Sequence, residues 1–368
     1  MMKSHVLWRV SLLRPAACER MRVNKAAFVV MLLLTAVTLR SAVAQDDIPT
    51  TSGFSGYGLV APGYFNVQSS LLVTGTPLLA DVGTAQIESI FEAPTSGSVP
   101  ALVLGLELNY TNASTRTQLF FGNRIEDILR LDIAFGLGVR QELGDMGILA
   151  VSALLTPTEL KFWADPYVEG EDRQPTSLDY PGARLRWGRI LKTGLELTGT
   201  FRQYRHGEEN SGNWLIEQGR LDPAQKSLLA RDGNIIQVQA LYRIDVKRHR
   251  FEPAVRYIND DHDGAALAKK GFSLQLTYLY REPKFVLDAN LVFGHRKADA
   301  VHPIYDETLT SDRWGVAFKA FIPIRPFKRT GWSIFVGGEI FRENVNVDFY
   351  DSRIGSIDVG ILWRHRRP

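Results

Sequence analysis

From residue 65 onward, apolar and polar residues alternate with a period of two. The clearest stretch sets Leu131, Ile133, Phe135, Leu137 and Val139 against Arg130, Asp132, Ala134, Gly136, Gly138 and Arg140. Such alternation puts the two sets on opposite faces of an extended strand. It recurs at Leu102–Tyr110, Leu195–Phe201, Ile236–Ile244, Phe272–Tyr280, Phe285–Phe293, Trp314–Ile322 and Ile357–Trp363, with weaker copies at 65–73, 117–121, 149–155, 183–189, 251–257 and 332–340. The pattern predicts about fourteen strands, with 12–16 as the range, mostly ten or eleven residues long. At ~3.3 Å per residue and ~40° of tilt, eleven residues span roughly 25–28 Å, the apolar band of an outer-membrane barrel. Strands of soluble proteins run nearer five or six residues.

The connections alternate too. Short ones are expected at 111–115, 142–147, 190–193, 246–248, 282–284 and 325–330, and long ones at 75–99, 158–181, 205–233, 260–270, 296–311 and 343–355. One outward connection, 122–129, is short. Tight turns on one side and long loops on the other are the periplasmic and extracellular ends of such a barrel, and an even strand number puts both termini in the periplasm. Aromatic residues fall into two girdles on the apolar face. Tyr110, Phe251, Tyr280, Phe285, Trp332 and Trp363 belong to the short-turn rim; Phe201, Tyr257, Phe272, Phe293 and Trp314 belong to the long-loop rim. The expected fold is therefore all-β, an antiparallel transmembrane β-barrel. A soluble sandwich would share the alternation but would need neither long strands nor girdles.

Residues 1–44 read differently. Arg22 and Lys25 precede an apolar run from Ala26 to Leu39, followed by the small-x-small pattern Ala42-Val43-Ala44. This is a secretory signal peptide, with Met21 as the expected start; the run is too short for a spanning helix. The leader carries seven basic residues and one acid, so a chain of net charge +3 leaves about −3 for residues 45–368. The basic balance thus sits in the leader and implies no nucleic-acid partner. The only cysteine, Cys18, also lies there, so the exported chain cannot rest on disulfides. The expected division is 1–44 leader, 45–62 periplasmic segment, 63–364 barrel and 365–368 tail. The expected partners are outer-membrane lipid and the assembly machinery of that membrane.

The polar face carries both signs of charge at mid-strand. Arg130, Asp132, Arg184, Arg186, Glu196, Arg202, Arg243, Glu252, Arg256, Asp288, Lys319 and Glu339 are the candidate lumen-lining residues. Their arginines could draw anionic solutes inward or simply neutralise acids on neighbouring strands. Asn259, Asp261 and Asp263 match the first half of a calcium loop, but Lys270 stands where the bidentate Glu is needed, so a plain polar turn is the blander reading. His206, His249, His295, His302 and His365 have no zinc-ligand spacing. Nucleophile elbows and phosphate-binding glycine loops are missing, so neither an enzyme nor a cofactor is expected. In the 205–233 loop, Asp222, Pro223 and Gly233 bracket a short helix over Ala224–Arg231, which could fold into the pore or lie over the rim.

Leu108-Asn-Tyr-Thr-Asn-Ala-Ser-Thr-Arg-Thr-Gln-Leu-Phe-Phe121 and Gly122-Asn-Arg-Ile-Glu-Asp-Ile-Leu-Arg130 resemble a recurring block of a family of Gram-negative proteins catalogued as domain of unknown function 2860. Trp163-Ala-Asp-Pro-Tyr-Val168, Pro303-Ile-Tyr305 and Asn346-Val-Asp-Phe-Tyr-Asp351 resemble further blocks, and the likeness runs from about Gly53 to Trp363. It implies an outer-membrane barrel and leaves activity open. Such chains usually finish on an aromatic residue; here Arg364-His-Arg-Arg-Pro368 follows Trp363. Two functions from different classes follow: a passive pore for small solutes, or a plugged barrel acting through its external loops. A barrel hydrolase using Asp261 and His262 ranks last.

Overall fold

The structure, a computed structural model, describes residues 47–74, 81–125, 127, 135–156, 160–325 and 331–365. The expected signal peptide, Arg130, Asp132 and the start of the Leu131–Val139 strand lie outside them. Fourteen strands form the wall, beginning with β1 (Gly53–Gln68), β3 (Ser96–Asn112), β4 (Thr117–Gly122), β5 (Phe135–Glu142), β6 (Ile148–Leu155), β9 (Gly182–Gly188) and β10 (Leu195–His206). They continue with β11 (Gly233–Tyr242) and its extension β12 (Ile244–Val246), then β13 (His249–His262), β14 (Lys269–Glu282), β15 (Phe285–His302), β16 (Glu307–Ile324), β17 (Trp332–Val345) and β18 (Ser352–His365). Each pairs antiparallel with its neighbours. The sheet closes through β1 and β18, with Leu59 opposite Leu362 and Val67 opposite Ile354. Closure leaves the wall without an edge and gives its backbone donors and acceptors partners within the chain, as lipid requires. Three short strands, β2 (Leu72–Thr74), β7 (Leu160–Trp163) and β8 (Pro175–Asp179), form a separate sheet against the loop end of β10.

Along β14 the alternation is plain: Phe272, Leu274 and Leu276 are exposed on the outer face, whereas Thr277 and Leu279 are buried inside. The girdles are built from cross-strand pairs. Trp332 opposes Trp363 with ring centroids 6.3 Å apart, and Tyr257 opposes Phe272 at 5.1 Å, while Phe293 stands opposite Trp314. Such a face suits lipid, not water, and the chain is an outer-membrane β-barrel.

Four boundaries differ from expectation. β1 starts at Gly53, so much of the expected periplasmic segment 45–62 is wall. Residues 47–50 lie across the short-turn end: Asp47 pairs with Arg189, Arg116 Nη1 donates to the Pro49 carbonyl at 2.8 Å, and Ile48 is buried. Several expected loops are shorter than forecast, because β15 and β16 run eighteen residues each and project past the lipid as paired ribbon, leaving 303–306 as their turn. Residues 259–262 are likewise strand, with Asn259 opposite Ile236 and Lys270, so the candidate cation loop does not form: Asn259 and Asp261 occupy the outward side of β13 and Asp263 follows in the turn. Gly233 does not end the loop helix either. The 3-10 turn closes at Leu229, and Gly233 opens β11 at φ 150°, where a Cβ would meet the Asp261 carbonyl oxygen at 2.3 Å.

An arginine in place of Leu276, at mid-height on the outer face, is expected to cost ~2–4 kcal/mol of stability in lipid, falling to ~0–1 kcal/mol for arginine at Phe272 near the rim. Urea unfolding of the two variants in vesicles checks this gradient.

Candidate functional site: a chamber under a loop cap

Three of the words that carry the family resemblance meet at the loop end. Tyr167, from 163–168, hydrogen-bonds the Tyr350 hydroxyl at 2.5 Å, and the Tyr350 hydroxyl is 2.8 Å from His302 Nε2. Tyr305 donates its hydroxyl to the Ile90 carbonyl at 2.8 Å, and Phe349 stacks on Tyr167. Around them Ile90, Leu215, Leu229 and Leu309 are 1% exposed or less, so six connections contribute to one apolar cluster. Burying each such side chain stabilises the cap by about 1.5–3 kcal/mol.

Polar contacts tie the same loops together. Asp165 Oδ1 accepts from the Gly212 amide and Oδ2 from the Trp214 amide, capping helix α1 (Asn213–Glu217) from another loop. Arg231 donates to the Trp163 and Ala164 carbonyls, both at 2.8 Å, and pairs with Glu209 at 2.8 Å. Arg173 reaches the Ser70 and Pro166 carbonyls, and burial pushes its guanidinium down to about 10. Burial also drives the Tyr167 hydroxyl well above the usual phenol range. The Asp222 cap accepts from the Ala224 amide as the sequence suggested, and the short helix it starts belongs to this cap.

Beneath the cap lies a chamber of about 410 Å3, lined by Tyr204, His206, Asp260, His262, Lys269, Arg296 and Glu343 from the wall and by Tyr167, Arg231, Leu267 and Tyr350 from the loops. A second cavity of about 290 Å3 continues toward mid-strand past Arg256, Gln275 and Glu339, and it shares Arg296 and Glu343 with the first.

At mid-height the inward side chains are packed against one another. Arg184 lies 3.6 Å and Arg186 2.6 Å from Asp127, and Arg186 also approaches Glu196 at 3.5 Å. Arg243 pairs with Glu252 at 3.0 Å, Arg250 with Asp245 at 2.6 Å, and Arg140 with Glu107 at 2.5 Å. Lys319 stands opposite Asp288 in register, and Asn290 donates to Asp288 at 2.8 Å. Arg256 donates to Gln239, and Arg202 to the Tyr180 carbonyl while lying over that ring. Glu339 lines the second cavity. Asp288 and Asn290 are 0% exposed and Glu252 2%, values suited to a filled interior and not to the wet wall of an open channel. Toward the short turns, at the height of the Arg250–Asp245 pair, the fill is also apolar, with Tyr57, Leu59, Leu279, Phe321, Phe335 and Leu362 in one buried cluster.

Of the candidate lumen residues, the ten that are described all belong to this interior. Asp127 was missed: it follows β4 within a segment expected to be a simple outward turn, yet Asn123 bonds the Leu106 backbone and Tyr57 hydroxyl and the chain there turns inward. Periodicity has nothing to say about a segment that leaves the wall. Arg250 and Asp358 were available from alternation alone, flanked as they are by outward Phe251, Ile357 and Val359. His206, Glu209 and Asp232 approach one another at the edge of the chamber, although Arg231 already holds Glu209.

The class is thus a fourteen-stranded outer-membrane barrel with a packed interior and a roofed external chamber. Within that class the chain belongs to the family described as protein of unknown function, DUF2860, whose model matches residues 53–364. Among solved structures it is similar to the outer membrane protein OmpT of Vibrio cholerae (10% identity, 88% of this chain and 100% of that one, TM-score 0.37). It is also similar to an anion-selective porin from Comamonas acidovorans (8%, 86% and 100%, 0.37) and to an outer membrane channel from Pseudomonas putida F1 (11%, 88% and 100%, 0.40). At these scores none of the three bears on what this barrel binds or passes. A search of curated proteins finds no match.

Asp127→Ala strips the shared carboxylate from Arg184 and Arg186. Leaving buried charge uncompensated is expected to cost about 3–5 kcal/mol, read as a lower urea midpoint than that of wild type with strand content unchanged by circular dichroism.

Proposed function

We propose that this barrel is a solute-selective pore of the outer membrane that rests closed. The observation that carries the reading is the pair of cavities meeting at Arg296 and Glu343, which lead from the cap down to the level of Gln275 and Glu339. Their walls combine apolar and aromatic surface with a few charged groups, the usual make-up of a site for a small molecule. A passive, always-open pore is disfavoured by the burial of the charged belt at Arg184, Arg186, Glu252 and Asp288. Passage would require the cap and belt to rearrange, as in other gated sites where a loop cluster has two packings of similar energy. The same buried belt favours a second reading, a permanently plugged barrel that works only through its external loops.

Planar-bilayer recording of the refolded protein separates the two. The pore reading expects long closed periods with occasional openings, and far more frequent openings when Tyr167→Ser and Tyr350→Ser together remove the hydroxyl contact and ring packing that join the cap loops. Steady current from the wild type would overturn the closed resting state. Silence from both proteins would overturn conduction and leave the plugged barrel.

A further inference from the structure

We infer that the chamber is built for a small organic anion, a monocarboxylate with an apolar or aromatic body, whose carboxylate sits between Lys269 and Arg296. This deepens the reading just given and rests on the chamber being its solute site.

Positive charge is in surplus at this end of the barrel. Lys269 is inward on the first residue of β14, and Arg296 is inward on β15, opposite Gly271. In that register they are diagonal neighbours on one face, about 7–8 Å apart by sheet geometry. Among the described residues Lys269 has no carboxylate in contact; its ammonium lies 5.6 Å from the Tyr350 ring centre. Among the described residues Arg296 has one ion pair, to Asp260 at 3.8 Å, too long for a hydrogen bond. Of the two chamber carboxylates, Glu343 pairs with Arg313 at 3.2 Å, and Asp260 lies 3.8 Å from Arg296 and 3.2 Å from His262, its Oδ1 accepting no hydrogen bond among the described residues. Arg231, the other cation of the lining, is satisfied by Glu209 and two carbonyls. Lys269, Arg296 and Arg313 thus share two carboxylates, Asp260 and Glu343, which leaves one positive charge in this partly enclosed space uncompensated until an anion enters.

The remaining walls fix what else the anion carries. Phe162, Tyr204, Leu267 and Tyr350 present apolar surface and ring faces. Inorganic phosphate or sulfate would satisfy the cations and leave those walls in contact with water. A ring or short alkyl tail would cover them. Space is not limiting, since a cavity of roughly 150 Å3 already takes benzene and this one is about 410 Å3.

Calorimetric titration of the full barrel in detergent micelles tests this without needing current. The probes are benzoate and hexanoate, with benzyl alcohol, benzylamine and sulfate as controls. Saturable binding of both carboxylates, with each control at least about tenfold weaker, is expected, because a hydrogen bond to a charged group is worth about that factor or more. Lys269→Met and Arg296→Met are each expected to weaken benzoate about tenfold or more, and Lys269→Arg to stay within about threefold of wild type. Heat-modifiable migration on gels verifies that each variant is folded, and Lys269→Arg serves as the second readout should a methionine variant fail to fold. Sulfate binding as tightly as benzoate, benzylamine binding better than benzoate, or no heat from any probe would each overturn the inference. Gated current with no carboxylate binding would sink the ligand class and spare the pore; carboxylate binding without current would do the reverse.

Discussion

Everything in this molecule follows from the cost of an unpaired peptide group in hydrocarbon. Each lipid-facing amide or carbonyl left without a partner costs several kcal/mol, so a sheet that enters a membrane must close on itself. Here the closing ladder is β1 against β18, from Gly56 opposite His365 to Gln68 opposite Arg353. Once the ring is closed, side-chain parity does the rest. Leu274, Phe293 and Val316 face lipid, while Arg184, Glu252 and Asp288 are sent inward into the same enclosed space. The interior charges are thus a consequence of closure, and their pairing is a condition of stability before it is a device for function.

That condition explains why the lumen is filled. Neighbouring strands supply both signs at matching heights, as in Arg243 with Glu252 and Lys319 opposite Asp288, and the 123–127 segment brings Asp127 to the arginines of β9. Near the loop end Lys269, Arg296 and Arg313 share two carboxylates, Asp260 and Glu343, and the wall beside them is aromatic. A surplus charge beside an apolar wall is what a binding site for an organic anion requires.

Much of this was legible in the sequence and some was not, for physical reasons. Parity put each described candidate lumen residue on the inner face and each named aromatic on the outer one, because a strand has only two faces and a slip of one residue would reverse them all. The strand count followed from the same pattern. Parity was silent wherever the chain leaves the wall. It could not say that 123–127 turns inward or that 259–262 remains strand. Nor could it say that Tyr167, Tyr305 and Tyr350, far apart in sequence, share one cap. Those facts depend on contacts between segments with no period. The loop words that suggested a family are the ones that build the cap, through Asp165, Tyr167, Tyr305 and Phe349. What they had in common could be seen only after folding.

The most direct test of the whole account uses the fact that Cys18, within the first 44 residues, is the only cysteine in the chain. Single cysteines are placed at Leu276, Asn290 and Tyr204 in protein lacking residues 1–44, reconstituted in lipid vesicles, and exposed from outside to a water-soluble thiol reagent. Protection by lipid at 276, protection by packing at 290 and reaction at 204 alone is the predicted pattern. Rapid labelling at 290, as at the wall of a water-filled pore, or at 276, as on a soluble surface, would contradict it.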